Sequence, residues 1–551
     1  MISDRLRAEP YLFNPYLNLL AAIANTSQSS ADAVYQFIEK APSEHISWTL
    51  MLNSLNEGEQ LMQTDTAQRG LLDPDVTGFI AILGLLSSVL RHASDCSSIR
   101  SNLQVNTVTL CIRLLHQPVH IVLKARICSL LECVVSDPHY AQLLLQQLEY
   151  GRILSTDTSS GLRYELETIE TGSEAYPLTC SFLRLLLAIT DSLSPRVVLA
   201  SNAFPTFLQF VIRDVFLRCE QRVCLPTRPA EKWLMISLCL QFLSSFLPLF
   251  QELSIDVLSE SDRNLQQRLA SVIGELLCGN EVLHQILSIP SITPSHSLLK
   301  QQISSDGIAD SSVLVDFALF DAYSFQVRAI YDAIALVRQL LEVTPEVISR
   351  LSLRSQLPGT VSLVTSLASQ LLADSHIAMT LLIHITDSLE PNLQLITLQV
   401  LRCLSDQLNS DLLVSLFDGY PEETMAIRAA CNELCRSVLF LQQQDLSTDG
   451  KNKEESSEQE LRRQACSVLL DLLVAHASVE FPSVVSVLLA LPQSLVSIRA
   501  PGSVCLLGTL VTFLDSPALV SLHSVLGSKI TRLFFLLCSH HDVGFISFSH
   551  S

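Results

Sequence analysis

The sequence predicts an all-α protein, an irregular HEAT- or armadillo-like α-solenoid in which antiparallel helix pairs stack into a superhelix. Three observations predict it. Leucine supplies just over 100 of the 551 residues and glycine only 17. Leucine is a strong helix former that packs helix faces, whereas glycine at about 3%, against a usual ~7%, is too scarce for a fold built on tight turns. Apolar residues recur at intervals of three and four nearly everywhere, and no extended alternating stretch competes as a strand. Between these runs the punctuation is Pro, Asp and Ser, residues that start and cap helices.

Taken in order, Asp73-Pro74 starts a helix to about Arg91, with Phe79, Ile82, Leu83, Leu86 and Leu90 on one stripe. Gln117-Pro118 starts the next, carried by Ile121, Leu123, Ile127, Leu130, Leu131 and Val134. Ser136-Asp137-Pro138 closes it and caps a helix running to about Tyr150. The same signal recurs at Tyr176-Pro177, Arg228-Pro229, Glu390-Pro391, Tyr420-Pro421 and Ser516-Pro517. Helices of roughly 12 to 25 residues thus alternate with short connections. No fixed repeat period emerges, as befits a divergent solenoid whose repeats bury their faces only against neighbours.

Three stretches interrupt the pattern: the Ser/Thr/Asp/Gly loop 156–161, the Ser- and Pro-rich 290–307, and the polar LSTDGKNKEESSEQE at 446–460. The expected organisation is therefore solenoid over 1–445, a disordered linker or insertion over 446–460 before a helix near Gln459, solenoid again over 461–540, and a non-helical tail, 541–551.

The net charge of −20, from 55 acidic and 35 basic residues, makes a poor general nucleic-acid binder, which needs a phosphate-neutralising surface. Fifteen cysteines sit in apolar helical context, as in Leu110-Cys111-Ile112 and Leu238-Cys239-Leu240, the setting of reduced, buried thiols in the cytosol or nucleus. No apolar signal segment follows Met1. The charge-free run Trp233 to Phe250 is near the lower limit for a membrane span, but Ser237, Gln241, Ser244 and Ser245 oppose Met235, Cys239, Phe242 and Phe246. That reads as an amphipathic helix ended by Pro248, and no transmembrane segment is expected.

Motifs for chemistry are thin. Asp449-Gly450-Lys451 lacks the upstream glycine and following Ser/Thr of a phosphate loop, and no nucleophile elbow or His-Glu-x-x-His helix occurs. Gln464-Ala465-Cys466 is followed by Ser467, so Cys466 reads as a core cysteine. Cys431 and Cys435 share a helix face without two further ligands nearby. Cys111, His116 and His120 are split by Pro118, and Cys538-Ser539-His540-His541 lacks a fourth ligand. The acidic series Glu165, Glu167, Glu170 and Glu174 reads as a solvated helix face. Arg213, Arg218, Arg222, Arg228 and Lys232, interspersed with Asp214, Glu220 and Glu231, read as intramolecular or inter-repeat ion pairing, the alternative being a docking patch for an acidic partner. No catalytic, cofactor-binding or metal-binding residue is assigned, no cofactor or small-molecule substrate is expected, and the chain is read as not an enzyme.

One block is distinctive. Residues 162–250 contain LRYELETIETGSEAYPLTCSFLRLLLAI, FPTFLQFVIRDVFLRCEQR and PAEKW. An acidic helix, then Tyr176-Pro177-Leu178-Thr179, Leu208-Gln209-Phe210, Asp214-Val215-Phe216-Leu217-Arg218 and Ala230-Glu231-Lys232-Trp233 follow one another. In this order and spacing they resemble the large inner-ring scaffold nucleoporins of the nuclear pore complex. Asn14-Pro15-Tyr16-Leu17-Asn18, Ile46-Ser47-Trp48, Gln147-Leu148-Glu149-Tyr150 and Ala500-Pro501-Gly502-Ser503-Val504-Cys505 resemble the family more weakly. The resemblance implies a non-enzymatic superhelical scaffold at the nuclear pore complex of the nuclear envelope. It implies other nucleoporins, linker and scaffold proteins, as partners, and a part in the transport of protein and mRNA. It also implies that Tyr176 and Trp233 are packing anchors and Pro177 a helix start. The chain is several-fold shorter than family members and opens on solenoid-like sequence, so an internal fragment is expected. The alternative is a soluble helical-repeat adaptor or transport receptor outside the pore.

Overall fold

The computed structural model describes residues 12–40, 46–54, 73–94, 96, 99, 105–117, 119–151, 153–154, 161–225, 227–249, 260–278, 280–291, 312–353, 367–440, 453–479, 483–491 and 506–540. Among these every regular element is helical and none is a strand. The protein is an all-α helical solenoid. It forms two compact units, Met1–Val272 with Ser295–Ala329, and Ile273–Pro294 with Ile330–Ser551.

In the first unit, alternate helices form one packed row. Phe13–Ala24 lies on Asp73–His92, which lies on Ile121–Val134, then Pro177–Leu193, then Ala230–Ser244. The helices between them, among them Gln28–Lys40 and Pro138–Gly151, flank that row. The apolar spacing explains the stacking. Ile82, Leu83, Leu86 and Leu90 of Asp73–His92 are all buried, as are Leu123, Ile127, Leu130, Leu131 and Val134 of the next helix in the row. Each such side chain contributes about 1.5–3 kcal/mol when fully withdrawn from water. The second unit repeats the arrangement: Pro391–Gln407, Lys453–Ala475 and Ser524–His540 form a row, and Pro421–Leu439 packs on the middle helix and on Leu506–Leu514.

Helix starts mostly follow the expected punctuation, although the helix expected at Gln117-Pro118 begins only at Ile121. Pro177, Pro391, Pro421 and Pro517 each open a helix, where the absent N–H costs nothing, and Pro229 occupies the position just before Ala230–Ser244. Asp137 accepts the His139 N–H at 2.9 Å ahead of Pro138–Gly151, and His120 caps Ile121–Val134 through Nδ1. Pro345 departs from the rule, because it lies inside the continuous 42-residue helix Ser312–Leu353. A proline there leaves the carbonyl four residues back without its N–H partner. That carbonyl, on Leu341, accepts from Gln407 Nε2 at 2.6 Å instead, so a neighbouring helix supplies the missing donor.

Other expectations need correction. The Ala230–Ser244 helix is not amphipathic: Met235 to Leu240 are buried on every side, Ser237 included at 1% exposure, with its hydroxyl taking the Gln241 amide at 3.1 Å. Among the described residues no helix is long and apolar enough to cross a membrane. The helix expected near Gln459 begins at Lys453, so the second half of the 446–460 stretch is helical; residues 441–452 lie outside the described residues. Loop 155–160, residues 292–307, Asp449-Gly450-Lys451, Ala500 to Cys505 and the tail 541–551 also lie outside them. Cys431, Cys435 and Cys466 are fully buried, with Cys435 Sγ and Cys466 Sγ 3.7 Å apart as free thiols.

Candidate functional site

The 162–233 block folds into a buried polar clamp that ties four segments of the first unit together. It begins at Gly161, whose φ of 95° favours glycine and whose added Cβ would sit 3.1 Å from the Ile153 carbonyl. That same carbonyl takes the Leu162 N–H. The helix that follows is α-helical at Leu162–Tyr164, π-helical at Glu165–Glu170 and α-helical at Thr171–Ser173. It ends at Glu174, a left-handed residue with φ 53° whose carbonyl accepts the Leu225 N–H at 2.8 Å.

The π-helical turn corrects the expectation of a solvated acidic face. An α-helix would carry the stripe from Leu162 and Leu166 to Ile169. The extra residue of the wide turn advances the phase by one, so Ile169 is 44% exposed and Glu170 is completely buried. Glu165 is buried beside it, while Glu167 and Glu174 remain exposed. The series therefore divides, two carboxylates inside and two outside.

Each inward carboxylate has a defined task. Glu170 stands at the amino end of Pro177–Leu193, whose own cap residue, Tyr176, makes no side-chain cap. Its Oε1 accepts the Leu178 N–H at 2.7 Å, and its Oε2 accepts the Thr179 hydroxyl at 2.6 Å and the Thr179 N–H at 3.3 Å. Glu231 completes the set by accepting the Tyr176 N–H at 2.7 Å. Two carboxylates from outside the helix, one eight residues upstream and one 55 residues on, thus satisfy N–H groups that helix geometry leaves orphaned. Burial pushes the Glu170 carboxyl up to about 7, against the opposing pull of its Thr179 and Leu178 donors. Glu165 pairs with Lys124, itself only 2% exposed, on Ile121–Val134, and burial raises the Glu165 carboxyl as well.

Arg222 closes the clamp from the other side. It donates to the Val215 carbonyl at 3.1 Å, to the Asp214 carbonyl, and to Glu167 at 2.7 Å, and it lies 5.9 Å over the Tyr176 ring. These carbonyls project from a second π-helical turn, Phe210–Val215. Arg218 pairs with Glu167, Arg228 with Glu231, and Arg163 with Asp214 at 2.9 Å, where burial raises the Asp214 carboxyl. Two of the basic series, Arg218 and Arg222, thus converge on Glu167 of the acidic series, and a third, Arg228, on Glu231. Tyr176 is the buried anchor expected, its hydroxyl donating to the Val223 carbonyl at 3.3 Å. Trp233 is only half-buried, and the apolar anchoring falls instead to the perpendicular Phe182 and Phe210 rings, 5.7 Å apart.

The distinctive sequence elements therefore meet in space: acidic helix, Tyr-Pro-Leu-Thr, Asp-Val-Phe-Leu-Arg and Ala-Glu-Lys-Trp contribute to one clamp. Lys124 and the inward phase of Glu165 and Glu170 escape sequence reading; the signal available was the five-residue separation of the two glutamates. Among the described residues no group of three or more His, Cys, Asp or Glu is arranged to hold a metal ion.

Stacked helical rows pinned by an internal polar clamp define a helical-repeat scaffold. The chain belongs to the nuclear pore complex scaffold family of nucleoporins 186/192/205, which matches residues 5–406. It is 29% identical over 255 residues to the nuclear pore complex protein Nup205 of Homo sapiens, covering 41% of this chain and 13% of that protein. To Nup205 of Drosophila melanogaster it is 25% identical over 284 residues, 46% of this chain and 13% of that protein. The matched segment is thus about an eighth of each relative's length. Members of this family are structural components of the nuclear pore complex at the nuclear envelope.

Proposed function

We propose that the chain is a scaffold element of the nuclear pore inner ring, binding linker nucleoporin segments along its helical surfaces and so supporting pore assembly and nucleocytoplasmic transport of protein and mRNA. The observation that carries this reading is the family match over residues 5–406, which includes the whole clamp. The clamp fits the role. A scaffold presents fixed surfaces, and directional hydrogen bonds between segments fix their mutual placement where leucine contacts alone leave freedom. Recognition would be by apolar anchors seated between helices, with no chemical step. Other inner-ring nucleoporins, linker and scaffold proteins, are the partners proposed.

The test is localisation of the full-length gene product, tagged at its own locus. A punctate nuclear rim that persists after detergent extraction of soluble protein is expected. Diffuse cytosolic signal, or complete extraction, would overturn the proposal in favour of a soluble adaptor.

A further inference from the structure

The second unit contains a groove of about 560 Å³, in the size range of built binding sites. One wall is the exposed face of Pro421–Leu439, where Ala426, Ala429 and Ala430 leave the helix backbone accessible to close approach. The other is the turn after Ile383–Thr386, from which Leu389 projects at 60% exposure.

Its polar groups are unevenly satisfied. Arg462, the cation in the lining, already donates to Glu458 at 2.6 Å and to the Ser388 carbonyl at 3.3 Å. Gln394 is 4% exposed, and its amide nitrogen is committed to the Ile385 carbonyl at 2.9 Å; its Oε1 accepts nothing from a described residue. Glu433, exposed in the lining, has no ion-pair partner among the described residues. Among the described residues the groove thus offers a carboxylate without an ion-pair partner and an amide oxygen that accepts no hydrogen bond, beside a wall of small apolar side chains. Glu422 and Glu423 at the start of the same helix are offset by its Arg428 and Arg436, so the attraction for a cation is local to Glu433.

The geometry points to this groove as a docking site for a basic peptide segment of a protein partner, one that places a lysine or arginine at Glu433 and small apolar side chains on the alanine wall. Charge complementarity selects this occupant over nucleic acid, which Glu433 would repel, and the net charge of −20 acts in the same direction at long range. The inference rests on the scaffold reading for its biological setting, but its chemistry stands or falls separately.

Random 12-residue peptides displayed on phage would be selected on the purified 551-residue chain and counter-selected on Ala429→Trp, which fills the groove from an exposed position. Enrichment of sequences pairing Lys or Arg with Ala, Val or Leu is expected. By fluorescence anisotropy, Glu433→Lys should weaken the selected peptide about tenfold, and replacing that peptide's cation by Glu should restore binding to Glu433→Lys. Unchanged melting temperatures show that both variants fold. Absence of groove-dependent enrichment, enrichment of acidic sequences, or indifference to Glu433→Lys overturns the proposal. Nuclear-rim localisation alongside such a failure would refute the groove and leave the scaffold reading standing.

Discussion

Glu170 is the most informative residue to perturb, because its carboxylate is fully buried and still takes three donors. Glu170→Ala leaves two backbone N–H groups and the Thr179 hydroxyl without their acceptor. At about 1–3 kcal/mol for each stranded buried group, less what water entering the space restores, a loss of about 3–5 kcal/mol is expected. Glu170→Gln gives a finer result. In the native chain the carboxyl titrates at about 7, against 4.5 for the free group. The native state therefore binds this proton more tightly than the unfolded chain. The stabilisation that follows is complete below pH 4.5 and is lost as pH rises to about 7. At 1.36 kcal/mol per pH unit, the interval is worth on the order of 3 kcal/mol. Glutamine cannot titrate, so its deficit relative to wild type should be largest near pH 4.5 and shrink by about that amount by pH 8. Hydrogen exchange at Leu178 and Thr179, corrected for intrinsic rates, reads the clamp locally, and urea unfolding at each pH reads it globally. A deficit that stays constant with pH, or grows toward alkaline pH, would refute the reasoning.

Two further outcomes are expected from the interior. Lys124→Met strands Glu165 in a buried site and should cost about 3–5 kcal/mol in urea unfolding, most of it recovered in Lys124→Met/Glu165→Leu; a single-variant cost below about 1 kcal/mol would show that water reaches the pair. Iodoacetamide applied to the folded chain should label the exposed Cys538 and leave Cys111 and Cys431 untouched, since both are buried with thiols pushed up to about 12; labelling of either before denaturation contradicts the packing.

What the sequence revealed and what it hid have a common physical cause. The Pro-led helix starts and leucine stripes are local properties, readable in any window of a dozen residues, and the helices at Asp73, Pro138, Pro177, Pro391 and Pro421 begin where those signals place them. The burial of Glu170 is not local. It depends on a π-helical turn that shifts helical phase by one residue, and the carboxylates this turns inward are held by donors on other helices, Leu178 and Thr179 beyond the next turn and Lys124 41 positions before Glu165. Pro345 depends on distant chain in the same way: within its continuous helix, the carbonyl it leaves unpaired accepts from Gln407, 62 positions later. Ser237 is buried because helices pack around it on every side, something its own heptad cannot announce. Ion pairing of the basic series was legible, but its reach to Glu167 of the acidic helix was not, nor which carboxylates turn inward.

The clamp also bears on why a leucine-rich array keeps costly buried charge. Apolar cores tolerate repacking that conserves volume and lose uniqueness before stability, whereas the Glu170, Glu231 and Arg222 contacts exist in a single register. Our hypothesis is that the buried ionic groups are kept for register, and Lys124→Met/Glu165→Leu separates register from stability. If register is their contribution, the double variant should regain its unfolding free energy while amide exchange across Leu162 to Ser173 becomes faster and more heterogeneous than in wild type. Full recovery of both stability and uniform protection would show that apolar packing alone sets the register. In that case the ionic pair would contribute nothing that leucine could not.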